Sequence, residues 1–524
     1  MTDNRFPVVV IGGGLAGFMA AIHLAKRDLP VLLLEADTEW AGGRIAGGDP
    51  ETFDHQGQTW SFNSQHGIHA VWGGYDNMRA VLKEFLPDLT LRPSTGEEWI
   101  NRWGTETRAV EAGNSIRSTW IPAPLHYLQL LLLPKFWRTI TPLDFLSLPG
   151  FIISLMWATG LDPIEEKVRL DGLGYQEFFR GWTPNLRATF VGLAHSLLAA
   201  PSSKISLTSF IAAMRFYTML RRDTWRLDYF PSNPNESLIH PMIDFIEARE
   251  GKVLFGARAK ALLKNGDGWD IQFEDATHHI TRTLSAEQVI LAVHPSSAEK
   301  ILTTSAATAA EARKITFPPS LRNANIRLWF DTVPRDGAMG GMFTGDFLVD
   351  NFFWLHRMQD EFIEWHQQTG GSAIEVHLYA DDSIIMKRDE LLIIEATKEV
   401  QAAFPELRGH FIHGTVRRNS ATQTQFMIPL DEDSLHVNTP WEKLYACGDW
   451  IGYPTPALWM ERCTITGIAA ANAVLANQQD PQPPYAILPP RPPEALARFL
   501  GMVVKLGRKT IGRLIFGIAK AVRG

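Results

Sequence analysis

Residues 8–11 are four consecutive β-branched side chains, and the run stops at three glycines. Such a run, bounded by glycine, predicts a strand buried on both faces. Residues 18–25 (FMAAIHLA) predict a helix, and the apolar run 31–34, ending at Glu35, predicts a second strand. Strand, glycine turn, helix and strand in this order predict a parallel α/β unit. Further on, 444–449 reads as a strand ending in Gly-Asp, and 464–475 as a helix. Residues 321–330 (LRNANIRLWF) and 373–379 (AIEVHLY) predict strands of a different sheet, and 77–85 and 391–404 predict helices, the latter stopped by Pro405.

Two regions break the pattern. Residues 120–161 are apolar and aromatic but cut by prolines. The stretch 145–161 is uncharged, yet Pro149-Gly150 interrupts it and it is short for a bilayer span. It suits a lipophilic tunnel or a face dipped into lipid headgroups, and equally a buried helical core. After a proline-rich linker at 479–493, a tail at 494–524 places Leu500, Val503, Val504, Leu506, Ile511, Leu514, Ile515, Ile518 and Val522 on one helical side. Lys505, Arg508, Lys509, Lys520 and Arg523 fall on the other. A basic amphipathic helix predicts attachment to an anionic membrane surface, the alternative being packing back onto protein. Glycines 501, 507, 512 and 517 weaken it as a free helix.

The chain of 524 residues exceeds one hydrophobic core, so two or three domains are expected. A net charge of -7 gives no reason to expect nucleic acid as a partner. Two cysteines exclude a disulfide framework and suit a reducing compartment, and the first apolar run lacks the features of a secretory signal. With 17 Trp and 29 Phe the chain is equipped for large apolar surfaces.

The glycines carry the first chemistry. Gly12-x-Gly14-Leu15-Ala16-Gly17 sits between strand and helix, where the spacing serves a dinucleotide pyrophosphate. Gly12 makes the tight turn, Gly14 admits the phosphates, Gly17 lets helix and strand touch, and the helix N-terminus at Leu15 and Ala16 faces the charge. Glu35, followed by Ala36, stands where an acid accepts a hydrogen bond from a ribose hydroxyl. Gly42, Gly43 and Arg44 add a close-approach loop and a guanidinium fork.

The Gly42-Gly43-Arg44 signature resembles that of the FAD-dependent amine oxidases and carotenoid desaturases. Gly448-Asp449, followed by Trp459-Met460-Glu461-Arg462, resembles the second flavin motif of that superfamily. The resemblance implies that Asp449 bonds the ribityl chain and that a helix N-terminus stabilises charge at the flavin N1/O2 edge. Ala259 and Ala292 fall on segments resembling the adenine-contacting hairpin and the strand returning to the nucleotide domain. The fold implied is α/β: a discontinuous Rossmann-like FAD domain (1–75, 230–300 and 425–478), an interleaved α+β substrate domain (76–229 and 301–424), the linker and the amphipathic helix.

The stretch HGIHAVWGGYDNM, 66–78, resembles a segment of plant- and cyanobacterial-type phytoene and zeta-carotene desaturases at Gly67, His69, Trp72, Gly73, Tyr75 and Asn77. The spelling of the 66–69 loop, of 448–450 and of 456–462 is similar to the isorenieratene-synthase branch. Two histidines three apart without further ligands make a poor metal site, and none is expected. His66, Trp72, Tyr75 and Trp459 are expected to wall the flavin and substrate. His69, as proton carrier, and Glu461, as partner of a cation, are the candidate catalytic residues.

The expected function is oxidation of a carotenoid or other lipophilic polyisoprenoid: desaturation, or ring desaturation with methyl migration, by hydride transfer to FAD. Electrons then pass to a quinone or O2, and the enzyme sits peripherally on the cytoplasmic face of a membrane. An amine oxidase, a flavin-dependent cis/trans isomerase and a non-catalytic lipid carrier are the alternatives.

Overall fold

The computed structural model describes residues 5–45, 47–167, 170, 172–427 and 433–523, with backbone alone for 511–523. The first sheet contains seven strands. Arg5–Ile11 pairs in parallel with Val31–Leu34 on one side and with Ile280–Leu291 on the other. Lys252–Leu254 extends the parallel part beyond Val31–Leu34. Leu444–Ala446 joins Ile280–Leu291, also in parallel. The hairpin Ala257–Asn265 and Gly268–Asp275 completes the sheet in antiparallel register. Val8, Val9, Val10 and Ile11 are all buried, as the β-branched run requires of a central strand.

The helix Leu15–Ala25 packs against the helix Trp459–Asn477, and Gly467 is their crossing point. A Cβ there would come within 2.6 Å of Met19 Cβ and 2.7 Å of the Ala16 carbonyl. The second helix starts at Trp459 rather than near 464, which puts Met460 and Glu461 in its first turn.

The second sheet, also seven-stranded, runs Phe411–Thr424, Ser320–Phe330, Ser372–Leu378, Asn351–Trp354, Gly340–Phe343, Glu97–Trp103 and Glu106–Glu111. Along Ser320–Phe330 the period-2 alternation is strict. Ala324, Ile326, Leu328 and Phe330 enter an apolar core with Ile374, Val376 and the helix Asp389–Ala403, while Asn323, Asn325 and Arg327 face the other way. The hairpin Gly47–His55/Gln58–Gln65, which sequence assigns to the nucleotide domain, buries Phe53 and Phe62 against Trp329 of this second sheet.

Residues 142–160 form one unbroken helical run, 3-10 over Pro142–Ser147 and α over Leu148–Gly160. Pro149 lies in the first turn of the α-helix, where its missing N–H costs no hydrogen bond, so the interruption expected from sequence does not occur. The 19-residue run, with mean hydropathy 1.4, is long and apolar enough to cross a membrane by length and composition. One side packs onto protein: the Trp182 indole donates to Ser154 Oγ, and a Cβ at Gly150 would sit 2.7 Å from the Arg180 carbonyl.

The helix Ala495–Arg523 lies against that run, Val504 filling the space over Gly160 and Gly501 touching the Thr159 carbonyl. Lys505 pairs with Glu165 at 3.0 Å and Arg508 with Glu166. The tail thus packs onto protein, yet Phe499, Met502, Val503 and Leu506 stay exposed. Leu143, Phe145, Leu146, Leu148, Ile152, Ile153 and Met156 are exposed on the adjoining run, Leu146 at 71% and Leu506 at 67%. Ile511, Leu514, Ile515, Ile518, Lys520, Val522 and Arg523 lie outside the residues whose side chains are described.

Candidate functional site

A cavity of about 1470 Å³ runs from the glycine turn of the first sheet to the polar face of the second. Its size exceeds the roughly 300–1,000 Å³ of an ordinary small-molecule site, leaving room for a dinucleotide and a further ligand. At its nucleotide end, Gly12 has φ +110°, and a Cβ there would meet the Ala292 carbonyl at 2.6 Å. A Cβ at Gly17 would collide with the Gly12 carbonyl, so the helix can sit this close only on glycine. At Gly14 a Cβ would meet nothing within 4 Å, which leaves an open cradle beside the N-terminus of Leu15–Ala25. That helix has no side-chain cap, so its first-turn N–H groups are free for an anion. Gly42 N–H bonds the Gly13 carbonyl at 2.6 Å and carries the Gly42-Gly43-Arg44 loop over the cradle.

Glu35 lies at the end of the second strand as expected. Its Oε2 accepts from Gly13 N–H at 3.1 Å and its Oε1 from Asp37 N–H at 2.8 Å. Burial raises its pKa. Glu35, Ala36, Ala259 and Ala292 all line the cavity, with Leu15, Ala16, Gly42, Gly43 and Arg44. Gly17 does not line it and acts from behind.

Arg44 and Asp449, expected to touch different parts of the cofactor, are joined to each other at 2.7 Å, with Asp449 almost wholly buried. Thr424 donates to the other Asp449 oxygen at 3.0 Å. Gly448, at φ +149°, turns the chain so that Asp449 and Met460 reach the cavity beside the uncapped N-terminus of Trp459–Asn477. Trp459 lines the cavity in the left-handed region at φ +52°, a conformation bulky residues seldom adopt. Its indole donates to the Leu197 carbonyl at 2.9 Å, and its ring meets Phe426 edge-on at 4.5 Å. Strain of this kind persists where the surroundings fix it, often at functional sites.

Glu461 is corrected. It is absent from the cavity wall and accepts from the backbone N–H groups of Asn77 and Met78, each at 2.9 Å, and from Asn77 Nδ2 at 2.8 Å. These donors open the helix Asp76–Phe85, so Glu461 clamps one helix N-terminus onto another and is no partner for a substrate cation.

His66 and His69 do line the cavity, their rings 6.5 Å apart. Burial lowers both pKa values, His69 to about 4 and His66 well below the usual range, so both are neutral at pH 7. His66 Nε2 is buried without a hydrogen-bond partner, while the Gly67 backbone faces the His69 ring. Trp72 and Tyr75 continue the wall; Trp72 packs on Tyr217 at 4.7 Å, and the Tyr75 and Tyr217 hydroxyls are 2.9 Å apart.

What holds the 66–69 loop was missed from sequence. Asn325 and Asn419 both donate to the His66 carbonyl, at 2.5 and 2.7 Å. Ile68 N–H donates to Glu375 Oε1 at 2.9 Å. Glu375, fully buried, pairs with Arg327 at 2.8 Å and bonds His377 at 2.9 Å. Burial pushes the Glu375 pKa up, but Arg327 and His377 outweigh it and hold it at about 2. The alternation of polar residues in 321–330 was the available signal.

The residues present fit a flavin dinucleotide: an open glycine cradle, two uncapped helix N-termini, and the unpartnered Trp40 and His66 nitrogens in one continuous cavity. The sequence pattern of the flavin containing amine oxidoreductases matches residues 15–475. The carotenoid phi-ring synthase of Streptomyces griseus is 26% identical over 518 residues, covering 90% of this chain and 88% of its own. The 15-cis-phytoene desaturase of Synechococcus elongatus is 22% identical over 498 residues, covering 91% and 97%. Among solved structures, cyclohexylamine oxidase from Brevibacterium oxydans superposes with a TM-score of 0.62 at 14% identity, covering 90% of this chain and 99% of that one. Putrescine oxidase bound to putrescine gives 0.61 at 15% identity, with the same coverage. The chain belongs to the flavin containing amine oxidoreductase family and is an FAD-dependent oxidoreductase.

Proposed function

We propose that this oxidoreductase works at a membrane surface on a carotenoid or other lipophilic polyisoprenoid, by desaturation or by ring desaturation with methyl migration. The observation that carries the reading is the exposed apolar surface shared by 142–160 and the tail. It is far richer in large apolar side chains than an enzyme for soluble amines requires. The names of the carotenoid phi-ring synthase and phytoene desaturase relatives agree with it. Lys505 and Arg508 are already paired with glutamates, so attachment comes chiefly from apolar burial and only secondarily from anionic lipid. We assign the enzyme to the cytoplasmic face of the membrane, with a membrane quinone as electron acceptor in preference to O2.

FAD supplies the hydride acceptor. The chain supplies position and dryness. Trp72, Tyr75 and Trp459 form aromatic walls that align a flat polyene and exclude water. The uncapped N-terminus of Trp459–Asn477 favours the negative charge that accompanies reduction. His66 and His69 are neutral, so each keeps one ring nitrogen without a proton and can accept one without first losing one. Deleting 494–524 tests the reading. It is expected to abolish liposome binding and slow a lipid substrate, whereas unchanged sedimentation with liposomes contradicts the membrane assignment.

A further inference from the structure

The polar face of the second sheet carries a line of hydrogen bonds that ends in the cavity. Glu375, His377 and Tyr379 alternate along the strand Ser372–Leu378 and the residue after it, so all three share one face. Glu375 is fully buried; its Oε1 accepts from Ile68 N–H and lies 2.9 Å from His377 Nε2. An ionised carboxylate only accepts, so Nε2 carries the imidazole proton. In the neutral ring Nδ1 is then the acceptor, and the Tyr379 hydroxyl at 2.8 Å donates to it. Tyr379 is partly exposed, and both it and His377 line the cavity. His377 also touches the flavin-side loop, where a Cβ at Gly67 would lie 3.2 Å from its Nε2. Arg327, 2.8 Å from Glu375, is shared with Glu51 at 3.5 Å, which leaves carboxylate charge for an imidazolium at His377 to balance.

We propose that Tyr379 and His377 form the proton-accepting relay that completes substrate oxidation, with Glu375 holding the charge. The inference rests on the polyisoprenoid reading above. Hydride leaves a substrate C–H bond with both electrons for FAD, and a carbocation remains. Desaturation and methyl migration both end when a C–H bond beside the cation gives up its proton and its electron pair becomes the new C=C bond. That proton goes to the Tyr379 oxygen as the hydroxyl proton moves to His377 Nδ1, and the imidazolium so formed is paired with Glu375. Burial keeps Tyr379 protonated, so it passes the proton on and holds no charge itself. His66 and His69 can also take a proton, but burial disfavours charge on both, whereas the Glu375 carboxylate supports it on His377.

The test uses the FAD-loaded full chain in detergent. β-Carotene and 15-cis-phytoene serve as ring-ended and open-chain probes, and putrescine as a soluble amine. Tryptophan fluorescence quenching reads binding, anaerobic flavin bleaching reads the limiting rate, and solvent extraction reads the polyene product. A cation that keeps its proton takes the hydride back, so loss of the relay slows net bleaching as well as product formation. In His377→Gln the amide still donates to Glu375 but offers no basic nitrogen. That variant and Tyr379→Phe should each lower the limiting rate about 10²–10⁴-fold. Polyene affinity should be unchanged, and FAD content reports that each variant has folded. A limiting rate within about threefold of wild type in either variant, well short of what a general base contributes, overturns this inference alone. A loss confined to polyene affinity does the same, since it makes the two residues wall and nothing more. Wild-type flavin that neither polyene bleaches, whether or not putrescine does, overturns the polyisoprenoid reading, and the inference with it.

Discussion

Replacing Arg327 by methionine removes the guanidinium paired with Glu375 at 2.8 Å. Glu375 is 0% exposed and Arg327 3% exposed, so the carboxylate is left charged with no access to water. Removing one partner of a buried pair costs about 3–5 kcal/mol. The pKa gives a similar figure. From its ordinary 4.5 to about 2 in the folded protein, at about 1.36 kcal/mol per pH unit, the pair and its hydrogen bonds contribute about 3 kcal/mol. Because the folded pKa is depressed, that contribution is complete above about pH 5 and is lost as pH falls toward 2. Urea unfolding of the FAD-loaded protein measures it. Arg327→Met is expected to lose about 3–5 kcal/mol at pH 7 and much less at pH 3. The double variant Arg327→Met/Glu375→Gln should regain part of the loss, since the fully buried charge is gone while Glu51, 3.5 Å from Arg327 in the wild type, stays without it. The Glu375–Ile68 bond makes the flavin-side loop a second reporter, so Arg327→Met should also bind FAD more weakly. A single variant within about 1 kcal/mol of wild type at pH 7, or a double variant no better than the single, refutes the reasoning.

Gly12→Ala should fold poorly and retain little FAD, because φ +110° and the Ala292 carbonyl at 2.6 Å both exclude a Cβ; flavin absorbance per protein measures it. His69→Gln separates proton transfer from wall-building: loss of turnover with FAD content unchanged is expected if His69 carries a proton. His69, with a folded pKa near 4, contributes stability that is present above its usual pKa of 6.5 and fades as pH falls toward 4, which unfolding at pH 7 and pH 5 detects. Leu146→Glu and Leu506→Glu should each weaken liposome binding about tenfold or more, since burying one leucine contributes about 1.5–3 kcal/mol; equal sedimentation with liposomes would place the membrane contact elsewhere.

The nucleotide end of the cavity was legible because its requirements are local. A tight turn, an open cradle and a close helix–strand contact each demand glycine at a fixed offset, so Gly12, Gly14 and Gly17 declare themselves in ten residues. Polar residues that act across the fold did not. Glu461 and Asn77 are 384 positions apart, and nothing near Glu461 in sequence says that its carboxylate caps another helix. Arg327 and Glu375 read as ordinary strand residues until the second sheet aligns them. The tail was half legible: its amphipathicity is real, but the side facing the protein is set by Gly160 and by Glu165 and Glu166 in a distant segment.

The central claim is that FAD and a lipophilic polyisoprenoid share one cavity. Purifying the full chain in mild detergent, recording its visible spectrum and extracting it with organic solvent tests that directly. The account predicts flavin absorption together with a co-extracted polyene, and flavin bleaching when that polyene is returned anaerobically. Flavin absorption with no extractable isoprenoid, and bleaching by a soluble amine instead, would contradict it.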